Sequence, residues 1–128
     1  MYKELFDKGL KIRKEVLGAE YVEKALAAAD EFSMPMQEIT TETCWGYIWG
    51  REGLPRRDRS VVNLAMISVL NRPHELKIHV KAALRNGLSK KEISEIFLQV
   101  GCYAGVPAAI DSFRIAKEAI AEFEAEAK

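Results

Sequence analysis

The chain reads as an all-α protein, a bundle of six or seven helices forming one domain over residues 1–128. Three observations predict this. Apolar residues recur at helical spacing along most of the chain, and no strand-like alternation survives for more than a few residues. Its 8 glycines and 4 prolines punctuate the periodic segments rather than dominate them. With 128 residues, 48% of them apolar and 30% charged, the chain is long enough and greasy enough to bury a real core.

The elements follow in order. In YKELFDKGLKIRKEVLG, Leu5, Leu10, Ile12, Val16 and Leu17 stand against charged positions, and Gly18 suits the left-handed residue after a helix. AEYVEKALAAADEF is rich in alanine, the best helix former, and is expected to run until Pro35 breaks it. Pro35 can sit in the first turn of a third helix, PMQEITTETCWGYIWG. Gly50, Gly53 and Pro55 then make a loop. RRDRSVVNLAMISVLN and PHELKIHVKAALRNG come next, the second with Pro73 at its first position and Gly87 past its end. SKKE at 89–92 matches a capping box and opens KKEISEIFLQVGCYAG. Pro107 starts the last helix, whose acidic tail is expected to fray.

Composition excludes several function classes. Lysine plus arginine and aspartate plus glutamate number 19 each, so no polyanion partner is implied and no basic stripe for nucleic acid exists. Self-repulsion is low, which permits association. The longest apolar run, VVNLAMISVL at 61–70, is too short to cross a bilayer. MYKELFDKGLK lacks the apolar stretch of a secretory signal, so a cytoplasmic protein is expected. Cys44 and Cys102 form neither a CxxC nor a zinc-ligand spacing and are expected to be buried free thiols.

One stretch carries chemistry. In ELKIHVKAALRNG, Glu75 precedes His79 by four residues, one helical turn. At 100° per residue, Leu76, Val80, Ala83 and Leu84 form the core stripe. Glu75, His79, Ala82 and Asn86 form a neighbouring strip, about 80° round the helix, where a side chain is half buried and still faces a cleft. A carboxylate beside an imidazole is expected to raise its pKa and fix its tautomer, as proton transfer near neutral pH requires. Ala82 is expected to leave space above the ring. The same spacing also suits a surface ion pair. A metal site is disfavoured, because there is no HExxH and His74 points away from His79.

Read together, residues 13–120 carry further motifs: RKEVLGAEYV, WGxxW, RxGLxRRxRS, ELxxHVxxALxNGxxxxEI, YAGxPAA and RIAKEAI. This combination resembles the carboxymuconolactone decarboxylase family of the AhpD-like superfamily, over nearly the whole chain. AhpD-type peroxidases carry CxxCxxxH with a glycine eight residues on. His79 and Gly87 keep that spacing, but Arg72 and Glu75 occupy the cysteine positions. A peroxidatic cycle needs an attacking thiolate and a resolving thiol, so peroxidase or disulfide-reductase activity is only the second reading.

The resemblance implies conversion of 4-carboxymuconolactone to 3-oxoadipate enol-lactone with loss of CO2, in aromatic degradation through the β-ketoadipate pathway. Such a substrate is its own electron sink, so no cofactor and no metal is expected. His79 is implied as proton donor or oxyanion partner, oriented by Glu75. Carboxylate clamps are sought among Arg51, Arg56, Arg57 and Arg59, with Arg59 first because it precedes a core-facing run. For each, a solvated surface or an ion pair is the competing reading. Trp45 and Trp49 are expected in the core or a subunit interface, the alternative being an apolar wall over the lactone ring. Tyr103 donates its hydroxyl to the site or merely packs. A homo-oligomer is implied, a hexamer before a trimer, with a small anionic lactone as the other partner and neither nucleic acid nor membrane.

Overall fold

A computed structural model describes residues 2–127. It is all-α, and no strand is present among the described residues. The helices are α1 (Tyr2–Leu17), α2 (Ala19–Ala28), α3 (Met34–Ile39), α4 (Arg56–Leu70), α5 (Pro73–Arg85), α6 (Lys90–Ala104) and α7 (Val106–Glu126). They fall into two compact units, residues 1–55 and 56–128.

In the first unit Gly18 both ends α1 and precedes α2, with a φ of 95° that a side chain would resist. α2 stops short of the expected Pro35. Asp30 and Ser33 exchange hydrogen bonds, Ser33 N–H to the Asp30 carboxylate at 2.9 Å and Asp30 N–H to the Ser33 hydroxyl at 3.0 Å. That turn competes with helix for the same backbone groups. α3 begins with Pro35 in its first turn and continues without a break into a π-helical stretch, Thr40–Ile48. There the Trp49 amide donates to the Cys44 carbonyl at 2.9 Å. This i→i+5 ladder widens the turn, so residues four apart lie nearly above one another. α1 packs on the π-helical stretch almost backbone to backbone. A Cβ on Gly9 would overlap the Thr41 carbonyl, and one on Gly46 would stand 2.6 Å from the Leu5 carbonyl oxygen. Arg13 is buried in this seam and donates to Gln37 at 2.9 Å and Thr41 at 3.2 Å.

The second unit is a four-helix assembly. Its core is Leu64 from α4, Leu76, Val80 and Ala83 from α5, Leu88, Ile93 and Phe97 around α6, and Ile115, Ala116 and Ala119 from α7. Phe97 meets Phe113 edge to face, 5.8 Å between ring centres. The Ser89–Glu92 capping box forms as the sequence predicts. Two serines interrupt the hydrocarbon. Ser112 donates to the Ala108 carbonyl at 2.9 Å, and the Ser68 hydroxyl meets Ser112 at 2.5 Å, tying α4 to α7.

The acidic tail does not fray before Glu126. Lys77 and Lys81 of α5 pair with Glu122, Lys81 also with Glu126 at 3.1 Å, and Lys90 with Glu124 at 2.7 Å. The cations that hold the tail lie far from it in sequence, so its own composition could not reveal them.

Candidate functional site

α5 positions the central pair. Pro73 lies in its first turn, where a missing N–H costs nothing, and Gly87 follows Asn86 with φ 97°. Leu76, Val80 and Ala83 are driven into the core, which rotates Glu75, His79, Ala82 and Asn86 to one flank. Asn86 fixes what that flank faces. Its amide donates to the Ser60 hydroxyl of α4 at 2.9 Å, and Ser60 is 1% exposed.

His79 is half-buried with Nδ1 fully enclosed, so whatever exposure the ring has lies on its other atoms. Glu75, at the helix start, is exposed. The expectation that Glu75 raises the imidazole's pKa is half right. Burial disfavours the charged ring and outweighs the nearby carboxylate, so the pKa lies below its ordinary value. His79 is therefore neutral at pH 7 in the free chain. Ala82, expected to leave room above the ring, is itself fully buried.

Of the arginines in this unit, Arg59 is half-buried with Nε enclosed, and it adjoins Ser60 on α4. Arg57 is exposed and paired with Glu92, the capping residue of α6, with Asp58 at 4.0 Å on its other side. It joins the start of α4 to the cap of α6. Arg56 is exposed. Tyr103 is 82% exposed on the last turn of α6. It lines an apolar groove of about 610 Å³ with Val61, Ala65 and Val69 of α4 and Ile96 and Val100 of α6. On α4 that face lies about 140° round from Ser60, so Tyr103 and the His79 strip occupy different sides of the helix. The carboxylate at this groove is Glu95, which repels rather than binds an anion.

The remaining candidates belong to the first unit. Trp45, in the π-helical stretch, and Trp49, which caps its end, are buried and stacked, ring centres 4.8 Å apart and 25° between planes. Arg51 is exposed, with its guanidinium 5.3 Å from the centre of the Tyr47 ring. The two cysteines are not buried, contrary to expectation. Cys44 lies on the outer side of the π-helical stretch and Cys102 near the end of α6, both exposed free thiols. The faces of these helices that turn inward carry Trp45 and Val100 instead. Among the described residues no group of three or more His, Cys, Asp and Glu is placed to hold a metal. No described helix is long and apolar enough to cross a membrane.

Ser60 is the site residue that sequence reasoning missed. Asn86 did signal itself, standing seven residues after His79 on the same strip, but its partner on another helix leaves no mark in a periodicity.

Comparison with known proteins bears on what this arrangement does. The sequence model of the carboxymuconolactone decarboxylase family matches residues 35–118. The chain is 41% identical over 120 residues to the nitrosuccinic acid decarboxylase of Metarhizium robertsii, covering 94% of this chain and 84% of that one. It is 37% identical over 113 residues to the 4-carboxymuconolactone decarboxylase of Acinetobacter baylyi, covering 88% and 84%. An uncharacterized 15.0 kDa protein of Paracoccus denitrificans is 33% identical over 88 residues, covering 66% and 65%.

Proposed function

The chain belongs to the carboxymuconolactone decarboxylase family, and on that premise we propose that it is a carboxy-lyase. Its substrate is a small diacid that loses one carboxylate as CO2 without a cofactor, 4-carboxymuconolactone or a close relative. The names of both decarboxylase relatives denote acids in which a carboxylate stands near an electron-withdrawing group, a lactone in one and a nitro group in the other. Such a substrate accepts its own electron pair. The C–CO2 bond breaks heterolytically, the pair moves through the ring double bond to the lactone oxygen, and one proton returns to carbon. From 4-carboxymuconolactone the product is 3-oxoadipate enol-lactone.

The observation that carries this reading is His79, half-buried and beside the exposed carboxylate of Glu75. The protein has to hold an anion, stabilise negative charge growing on oxygen, and deliver a proton. A neutral imidazole donates a hydrogen bond to the developing oxyanion. The arriving dianion then raises the ring's pKa, so the ring gains a proton as substrate binds and can pass it to carbon. Arg59, flanking the same α4–α5 seam, serves as a carboxylate clamp. Arg51, Arg57, Tyr103, Trp45 and Trp49 are the further candidates for contact with the substrate. The protein acts as a homo-oligomer, a hexamer before a trimer, in the cytoplasm, within aromatic degradation. The peroxidase alternative is not favoured, because α5 carries Arg72 and Glu75 where that chemistry needs thiols.

Purified protein is given 4-carboxymuconolactone, and in a parallel arm nitrosuccinate, and CO2 release is followed. Turnover of either is expected, with His79→Ala slower by about 10²–10³-fold. A wild-type protein inert toward both refutes the decarboxylase reading. Equal rates for wild type and His79→Ala refute the role of His79.

A further inference from the structure

We propose that the end of α7, residues 121–126, is an ionic clasp on α5: it opens as a unit when ionic strength rises, while α7 up to Ile120 stays closed on the core.

Apolar burial stops short of this segment. Ile115, Ala116 and Ala119 belong to the core, and Ile120 packs against it. From Ala121 to Glu126 only Phe123 is even half-buried. The alanines here favour a helix but do not anchor one. The charges of the segment work against it. Glu118, Glu122 and Glu126 follow one another at a spacing of four, where like charges repel. Glu124 and Glu126 sit at the negative end of the helix dipole, and the last turn holds no basic residue. Left to itself, such an end frays.

Cations from other helices reverse that outcome. On α5, Lys77, Lys81 and Arg85 are also spaced by four, and this row runs alongside the glutamates of α7 in the same direction. Lys77 and Lys81 share the Glu122 carboxylate, Lys81 at 3.0 Å. Lys81 reaches Glu126 at 3.1 Å, and Lys77 stands 4.0 Å from Glu118. The Arg85 guanidinium lies 5.4 Å from the centre of the Phe123 ring. Lys90, the first residue of α6, holds Glu124 at 2.7 Å. Lys77 foremost, then Lys81, holds the Glu122 carboxyl below its ordinary pKa. Burial works against the charge on Lys81, yet hydrogen bonds from Glu122 and Glu126 outweigh it and hold its pKa above the ordinary value. Single exposed pairs count for little, but a connected set of this kind closes and opens together.

Opening has a defined consequence. The Lys77–Lys81–Arg85 row lies on the side of α5 away from His79, with Lys81 about 160° round from it. The lysine side chain at 81 is only 18% exposed with the clasp shut. The helix that bears the imidazole thus carries on its back a row of cations that is covered at low ionic strength and bare at high.

Amide hydrogen exchange on the full chain tests this, in about 0.1 M and about 1 M sodium chloride, where the screening length falls from about 10 Å to 3 Å. Exchange of the 122–126 amides is expected to quicken on the order of tenfold at high salt, with the 112–119 amides within about twofold. The double variant Lys77→Met with Lys81→Met is expected to show the fast exchange already at low salt and little further response. Protection of 122–126 that neither salt nor the variant alters overturns the inference. So does a loss of protection that reaches 112–119 equally, since the segment then has no opening of its own.

Discussion

The tie between Asn86 and Ser60 can be weighed by cutting it. Asn86→Ala leaves the backbone undisturbed, since φ −83° and ψ 7° suit any residue. It removes a 2.9 Å hydrogen bond to a hydroxyl only 1% exposed. A typical bond is worth about 1 kcal/mol net, but a hydroxyl stranded away from water costs about 1–3 kcal/mol. The expected loss is therefore about 1–3 kcal/mol, a large share of the 5–15 kcal/mol that holds an ordinary domain together. Ser60→Ala costs less, about 0.5–1.5 kcal/mol, because Asn86 is only half-buried and can turn to solvent. The double variant is expected to cost no more than Asn86→Ala alone, a coupling of about 1 kcal/mol. Urea unfolding at unchanged m-value measures all three. Costs that add within about 0.3–0.5 kcal/mol would show that the two groups do not interact and would remove the tie between α4 and the His79 flank of α5.

Three further outcomes follow from the geometry. Burial holds the His79 pKa below its ordinary 6.5, so the unfolded chain binds more protons than the folded one as pH falls below 6.5. Stability is therefore lost with acid in that window, and His79→Gln should flatten the loss in urea titrations at successive pH values; an unaltered slope contradicts the burial. Gly46→Ala forces a methyl to within 2.6 Å of the Leu5 carbonyl oxygen and should cost about 1–3 kcal/mol by thermal melt, with no cost arguing that α1 can retreat. Ser89→Ala should cost about 1 kcal/mol. Glu92→Gln should cost less, since glutamine still reaches the Ser89 amide and loses only an exposed ion pair with Arg57; the reverse order would make the pair, not the cap, the stronger contact.

Local signals in the sequence carried most of the helix boundaries. Gly18, Pro73, Gly87 and the Ser89–Glu92 box act within a few residues of themselves, so each is readable in isolation. The π-helical stretch was not readable, because Trp45 and Trp49 at a spacing of four fit an α-helix equally well. What decides it is the approach of α1 through Gly9 and Gly46, a contact across more than thirty residues of chain. At the site, the flank shared by Glu75 and His79 followed from the helical period. The direction of the imidazole's pKa did not, because the spacing reveals the carboxylate beside the ring and hides the helices that enclose it. Cys44 and Cys102 failed for a related reason: average burial of a residue type says nothing of which side of a helix faces out.

The paired hydroxyls of Ser68 and Ser112 work as a notch between α4 and α7. Greasy contacts tolerate sliding, since one methyl is much like the next. A slip of α7 by a single step would set Asp111 or Phe113 against Ser68 and strand a hydroxyl in oil. Two small side chains thereby choose one alignment of the last helix from among its neighbours, and with it which lysines of α5 meet the glutamates near the chain's end.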